Sequence, residues 1–147
     1  MGRNRGFDEA LVLRAAADTF VRGGYEATSI DDLVTALGVH RGSLYNAFGS
    51  KRGLFLKTLD RYIETELVPL TGTDAGRVAE ALVQRDTLDL VLVAAIERGH
   101  EDLQVAETVR SALSVVEQAV SGSGNEDAEP QRAVELLGAR LYARLTS

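Results

Sequence analysis

The sequence predicts an all-α protein with an N-terminal three-helix helix-turn-helix domain followed by a C-terminal helical domain. Apolar residues recur at three- and four-residue intervals along most of the chain, as they do on one face of a helix. Most of the fourteen glycines and both prolines stand between these periodic segments, where they end or begin helices. The apolar run Leu88–Ile96 would also suit a strand, but no other segment could pair with it, so we assign it to a buried helix.

Length and composition narrow the class of protein. A chain of 147 residues can bury a core of ordinary size. The absence of cysteine excludes disulfides, thiolate metal sites and cysteine nucleophiles. No apolar run follows the basic N-terminus as in a signal peptide, and none approaches the roughly 20 residues of a membrane span. We therefore expect a cytoplasmic protein without membrane contact.

Charge is divided unevenly along the chain. Residues 1–60 carry eight Lys or Arg against seven Asp or Glu, a net charge of +1, whereas residues 61–147 carry eight against fifteen, a net charge of −7. This asymmetry is typical of a chain with two surfaces that have different roles.

The first part of the chain divides into four predicted helices. The first ends at Gly23-Gly24, and the second covers about 30–37 after Thr28-Ser29-Ile30-Asp31, which resembles a capping box. The third covers about 41–47, and the fourth follows Ser50, which is placed to cap it. We expect a first domain at residues 1–50 and a second at residues 51–147, with residues 51–67 as a linking helix.

The second and third predicted helices have the arrangement of a helix-turn-helix. A short turn around Gly38 joins them, and glycine accepts the left-handed backbone that a steep crossing requires. Gly42 and Ser43 keep the outer face of the third helix small enough to enter the major groove of DNA. The apolar positions spaced to hold the two helices together are Leu33, Leu37, Val39, Leu44 and Phe48.

A set of markers between residues 8 and 62 carries a family resemblance. They are Phe20, Gly24-Tyr25, Thr28, Gly38-Val39, Leu44-Tyr45, Phe48 and Lys51. At this spacing the segment resembles the DNA-binding domain of the TetR family of bacterial repressors, and over residues 88–145 the resemblance is loose. The sequence departs from the family at His40, where a Ser or Thr cap is common, and between Tyr62 and Leu88, where the chain is abbreviated.

The resemblance implies a homodimeric repressor that binds a double-stranded DNA operator and is released by a small molecule held in the second domain. Arg41 can donate bidentately to guanine, and Ser43 and Asn46 can reach base edges or a thymine methyl. Tyr45 and Lys51 suit phosphate oxygens, and helix starts near Thr28 favour anions. The full set of predicted DNA-binding residues is Thr28, His40, Arg41, Gly42, Ser43, Tyr45, Asn46 and Lys51. The alternatives are a solvated surface position for Arg41 or Lys51 and a core position for Tyr45.

The second domain contains two apolar stripes at helical spacing, separated by the polar segment Ser121–Glu129. We expect them to form a four-helix interface contributed by two chains. The predicted dimer-interface residues are Val105, Val109, Ala112, Val116, Val134, Leu137 and Leu141.

A small effector is expected inside the second domain, partly because the family resemblance implies one and partly because Leu88–Ile96 is apolar on every side. The predicted ligand-binding residues are Ile63, Leu67, Leu92 and Ile96. Few aromatic residues and no evident buried charge favour an aliphatic compound over an aromatic or phosphorylated one.

Two other classes of function remain open at this point. One is a helix-turn-helix regulator without a small-molecule effector, governed by a protein partner or by its own concentration. The other is an enzyme, but the sequence offers no Ser-His-Asp order, no metal-binding cluster and no phosphate-binding glycine loop, and it contains only two histidines. We therefore expect no catalytic residues, no metal and no cofactor.

Overall fold

The computed structural model describes residues 7–84, 86–121 and 131–146. Within those residues the chain forms eight α-helices and no strand, which confirms the predicted all-α class. The chain divides into two compact units, Met1–Tyr62 and Ile63–Ser147, which we call unit 1 and unit 2.

Unit 1 contains α1 (Glu9–Gly23), α2 (Ile30–Leu37), α3 (Arg41–Phe48) and α4 (Lys51–Tyr62). Local side-chain caps fix where the first two helices begin. The Asp8 carboxylate accepts hydrogen bonds from first-turn N–H groups of α1. At the start of α2, Ser29 and Asp32 form a full capping box, and these hydrogen bonds from Ser29 lower the pKa of Asp32.

An aromatic cluster forms the centre of unit 1. The Phe20 ring meets the Phe55 ring edge-on, with 4.9 Å between centroids, and the Tyr25 ring lies 4.7 Å from the same Phe55 ring. Phe20 and Phe55 are fully buried, so the cluster joins α1 to α4 across the interior.

The boundary between the two units differs from the expected one. The apolar face of α4, which includes Leu54 and Leu59, is buried and packs along α1, so α4 belongs to unit 1 rather than to a second domain starting at residue 51. The expected linking helix at residues 51–67 is also not continuous. After Tyr62 the chain forms a π-helical turn at Ile63–Leu67 and a 3₁₀ turn at Val68–Leu70, which contains Pro69.

Unit 2 is built from α5 (Ala75–Gln84), α6 (Asp89–Glu97), α7 (Leu103–Ser121) and α8 (Gln131–Thr146). A 3₁₀ turn at Asp86–Leu88 precedes α6. Helix α7 packs against the other three helices, and α8 also packs against α5. Of the predicted polar segment at residues 121–129, Ser121 ends α7 and the remainder lies outside the described residues.

The apolar helix α6 is buried over most of its length but not all round. Residues 89–94 are buried, as predicted for this run, whereas Ile96 is 59% exposed. The buried stretch also includes a charge that the sequence did not indicate. The Asp89 carboxylate accepts two hydrogen bonds from Arg140 of α8, at 2.6 Å from Nε and 2.9 Å from Nη2.

Candidate nucleic-acid interface

Helix α3 presents one polar face and buries the other. Arg41, Gly42, Tyr45 and Asn46 are exposed, and their spacing places them on one side of the helix. On the opposite side Leu44 is fully buried. Ser43 is half-buried at the margin of the exposed face. The exposed face of α3 therefore carries hydrogen-bond donors and acceptors on a helix.

Apolar contacts hold α3 in place. Leu33 of α2 and Leu44 of α3 are both fully buried, as the spacing predicted. At the end of α3 the buried Phe48 ring stacks on Phe7, with 6.2 Å between centroids. Because these contacts lie on the inner side, the outer side of α3 is free to bind a partner.

Two glycines shape this region in different ways. Gly38 has φ 63° and ψ 28°, the left-handed conformation predicted for the turn between α2 and α3. Gly42 lies on the outer face, where an added Cβ would meet no atom within 4 Å. A tight turn between two short helices, the second with a small polar outer face, defines a helix-turn-helix in which α3 is the second helix.

Arg41 is paired with Asp31, which the sequence placed in a capping-box-like start of α2 and not beside α3. Its Nη2 donates a hydrogen bond to Oδ1 of Asp31 in the first turn of α2. This hydrogen bond, reinforced by the opposite charge, raises the pKa of Arg41 above its ordinary value. Sequence spacing gives no signal for the pair, because ten residues and a turn separate its members.

The side chain of Lys51 makes hydrogen bonds and a ring contact within unit 1. Its Nζ donates hydrogen bonds to the carbonyl oxygens of Tyr25 at 3.0 Å and Thr28 at 3.1 Å, and it lies 4.3 Å from the centre of the Tyr25 ring. The ammonium therefore joins the start of α4 to the segment between α1 and α2. Its remaining N–H is the part that a phosphate would have to use.

The hydroxyl of Thr28 points into the protein and is hydrogen-bonded there. The side chain is buried, and Oγ1 donates to the Gly24 carbonyl at 2.5 Å. A Cβ at Gly23 would come within 2.8 Å of that Oγ1, so the hydroxyl is also closely packed. The side chain of Thr28 therefore has little exposed surface for the predicted DNA contact.

His40 occupies the N-cap position of α3. It is exposed and makes no side-chain cap hydrogen bond, in agreement with the weak helix start expected from the sequence. The first backbone N–H groups of α3 therefore lack the side-chain acceptor that Ser or Thr would supply.

The predicted ligand-binding residues occupy unlike environments in unit 2. Leu67 is fully buried and Leu92 is buried, whereas Ile63 is half-buried and Ile96 lies on the surface. Four of the predicted dimer-interface residues are covered by their own chain. They are Val105, Val109, Ala112 and Val116.

The remaining dimer-interface residues lie on α8. Leu137 is half-buried and Leu141 is exposed, and the side chain of Val134 lies outside the described part of the chain. A stripe of exposed small and apolar residues continues along α8 from Gly138 through Leu141 and Tyr142 to Leu145. We call these four residues the α8 stripe.

Residues 7–84, 86–121 and 131–146 contain no group of three or more His, Cys, Asp or Glu arranged to hold a metal ion. No helix within those ranges is long and apolar enough to cross a membrane.

Known proteins match part of this chain by sequence and most of it by fold. Residues 12–58 match the family model described as bacterial regulatory proteins, tetR family. The chain is 52% identical over 64 residues to the uncharacterized HTH-type transcriptional regulator YezE of Bacillus subtilis, an alignment covering 44% of this chain and 33% of YezE. It is 40% identical over 85 residues to the HTH-type transcriptional repressor BdcR of Escherichia coli, which covers 56% of this chain and 43% of BdcR. The alignments therefore span less than half the length of these relatives.

A solved structure extends the likeness to the whole fold. The TetR family transcriptional regulator PfmR from Thermus thermophilus superposes with a TM-score of 0.56 at 17% identity, covering 91% of this chain and 92% of PfmR. At this identity the likeness concerns the fold alone. By sequence, residues 12–58 match the TetR family of bacterial regulatory proteins, and over most of its length the chain shares the fold of PfmR.

Proposed function

We propose that this protein is a sequence-specific DNA-binding repressor that acts as a homodimer in the cytoplasm. The observation that carries the proposal is the exposed face of α3, where Arg41, Tyr45 and Asn46 stand on a helix whose other side is anchored by buried Leu44. Arginine and asparagine are the side chains best suited to guanine and adenine edges in the major groove. The name of the relative BdcR, a transcriptional repressor, supports the sign of regulation.

The proposal requires two copies, because a single short recognition helix makes few contacts and helix-turn-helix dimers bind two half-sites about one helical turn apart. We place the dimer contact on the α8 stripe, since among the described side chains of α8 its large apolar members are left exposed by their own chain. Tyr142 is 71% exposed and Leu145 is 77% exposed. Contiguous exposed apolar surface of this kind is typical of an interaction site.

A small aliphatic effector remains part of the proposal, with unit 2 as its binding domain. Its support is the apolar interior around Leu67 and Leu92. A ligand that prefers a conformation unable to bind the operator would lower DNA affinity in proportion to that preference.

A regulator without an effector is the second candidate, and one observation favours it. The predicted ligand residues do not share one environment, because Leu67 lies in the core and Ile96 lies on the surface. In this alternative, unit 2 serves dimerisation, and protein concentration or a protein partner controls occupancy of the DNA.

The central experiment selects bound sequences from a random pool of double-stranded DNA with the purified chain. We expect an enriched motif with two-fold symmetry. A protein that enriches no sequence at any salt concentration would contradict the proposal. The selected DNA then serves in a screen of aliphatic metabolites for release, and release by none of them would support the regulator without an effector.

A further inference from the structure

The ion pair between Asp31 and Arg41 crosses the turn of the helix-turn-helix. It joins the first turn of α2 to the first turn of α3, and both side chains are more than half exposed. Exposed ion pairs contribute little to stability, because water and salt screen them. The pair therefore adds little to the stability of the fold, and its main effect is to hold the Arg41 guanidinium in place.

Asp31 and Asp32 are adjacent acidic residues with different contacts. The Asp32 carboxylate accepts hydrogen bonds from the Ser29 backbone N–H at 2.8 Å and from its hydroxyl at 2.5 Å, which caps α2. Asp31 has no part in that capping box, and its carboxylate meets the recognition helix. Of these two carboxylates, Asp31 is the one that contacts a residue of the exposed face of α3.

A guanidinium has several N–H donors in a rigid plane, and the hydrogen bond to Asp31 uses one nitrogen of Arg41. The other donors stay available for the edge of a base. A free arginine on the same surface would also contact phosphate oxygens, which carry no sequence information. The Asp31 carboxylate opposes that contact in two ways, since it restrains the guanidinium and repels nearby phosphates.

We propose that Asp31 is a positioning residue for sequence recognition, which holds Arg41 for a base edge and disfavours its contact with phosphate. The inference rests on the proposed function, because it presumes that Arg41 contacts the operator. It predicts that loss of the Asp31 charge increases affinity for DNA in general and decreases discrimination at the base pair that Arg41 contacts.

The test compares Asp31→Asn with Asp18→Asn, a control that makes the same change of charge at an exposed position of α1. Selection from the random pool identifies the wild-type motif, and Arg41→Ala identifies the base pair that depends on Arg41. Dissociation constants for the best site, for that site with this base pair replaced, and for unrelated DNA are then measured at several salt concentrations.

For Asp31→Asn we expect discrimination at the Arg41-dependent base pair to fall by about fivefold or more, with tighter binding of unrelated DNA than in Asp18→Asn. In the Arg41→Ala background, Asp31→Asn should not change base preference further. Unchanged discrimination in Asp31→Asn, or an equal loss in Asp18→Asn, would overturn the inference while leaving the proposed function intact. A wild-type chain that selects no motif would overturn both. Thermal melting of each variant distinguishes a local effect from unfolding.

Discussion

The ammonium of Lys51 lies 4.3 Å from the centre of the Tyr25 ring and donates a hydrogen bond to the Tyr25 carbonyl at 3.0 Å. The Lys51 ammonium thus binds backbone carbonyls of the segment before α2 and also contacts an aromatic ring of the core cluster. Removal of this cation should affect folding as well as DNA binding.

Lys51→Met keeps the apolar stem and removes the charge and its donors. We expect the free energy of unfolding to fall by about 2 kcal/mol, because two backbone carbonyls lose a charged donor. Chemical denaturation followed by circular dichroism measures this, and Arg14→Met, at an exposed position of α1, is the control. Equal stability of Lys51→Met and wild type would mean that Lys51 is a surface lysine available to phosphate.

Arg41→Ala should weaken binding of the selected operator by about fivefold to a hundredfold and relax preference at one base pair. Fluorescence anisotropy with the operator and its single-base variants measures both effects. Arg14→Ala serves as the control, since it removes the same charge from α1. A uniform loss across all sequences would instead assign Arg41 to phosphate.

The buried pair of Asp89 and Arg140 predicts a large asymmetry between single and double substitutions. Asp89→Leu or Arg140→Met alone should destabilise unit 2 by about 3–5 kcal/mol, because each removes one member of a mostly buried ion pair with two hydrogen bonds. The double substitution should recover part of that loss, because it removes both charges of the pair together. Thermal unfolding of the three variants measures this. Additive losses in the double variant would show that the two residues act independently.

Acid should weaken the start of α2 through Asp32. Its pKa is lowered in the folded protein, so the capping contribution is present above the ordinary carboxyl range and is lost as the pH falls through the lowered value. Asp32→Asn removes this dependence, and we expect its stability deficit relative to wild type to shrink as the pH is lowered from about 6 towards 3. Urea unfolding at each pH measures the difference. A stability deficit of Asp32→Asn that stays constant with pH would show that Asp32 does not contribute to the acid sensitivity of the protein.

Charged substitution in the α8 stripe should produce monomers. Leu145→Glu introduces a charge into the proposed contact, whereas Ala139→Glu places the same charge at an exposed position outside the stripe and is the control. Analytical ultracentrifugation at micromolar concentration gives the oligomeric state, and operator affinity should fall with dimer loss. A wild-type chain that is monomeric at that concentration would contradict the proposed dimer.

The sequence predicted unit 1 closely because its signals are local. Caps and glycines set the bounds of α2 at Ile30–Leu37, where the apolar period had placed a helix. The contact of Asp31 with Arg41 depends on how two helices cross, and no local pattern encodes that. The same limit applies to the Val105–Val116 stripe. Periodicity indicates that a face is buried, but not whether its own chain or a second copy buries it, and in the structure its own chain does.

The open position at Gly42 gives the recognition helix a capacity for evolutionary change. A Cβ added there has open space around it, so a side chain at this position would project towards whatever the helix contacts. Any residue other than proline would also favour the helix more than glycine does, by as much as about 1 kcal/mol. After a gene duplication, one substitution at this position could therefore redirect a copy to a new target sequence while its fold gained stability.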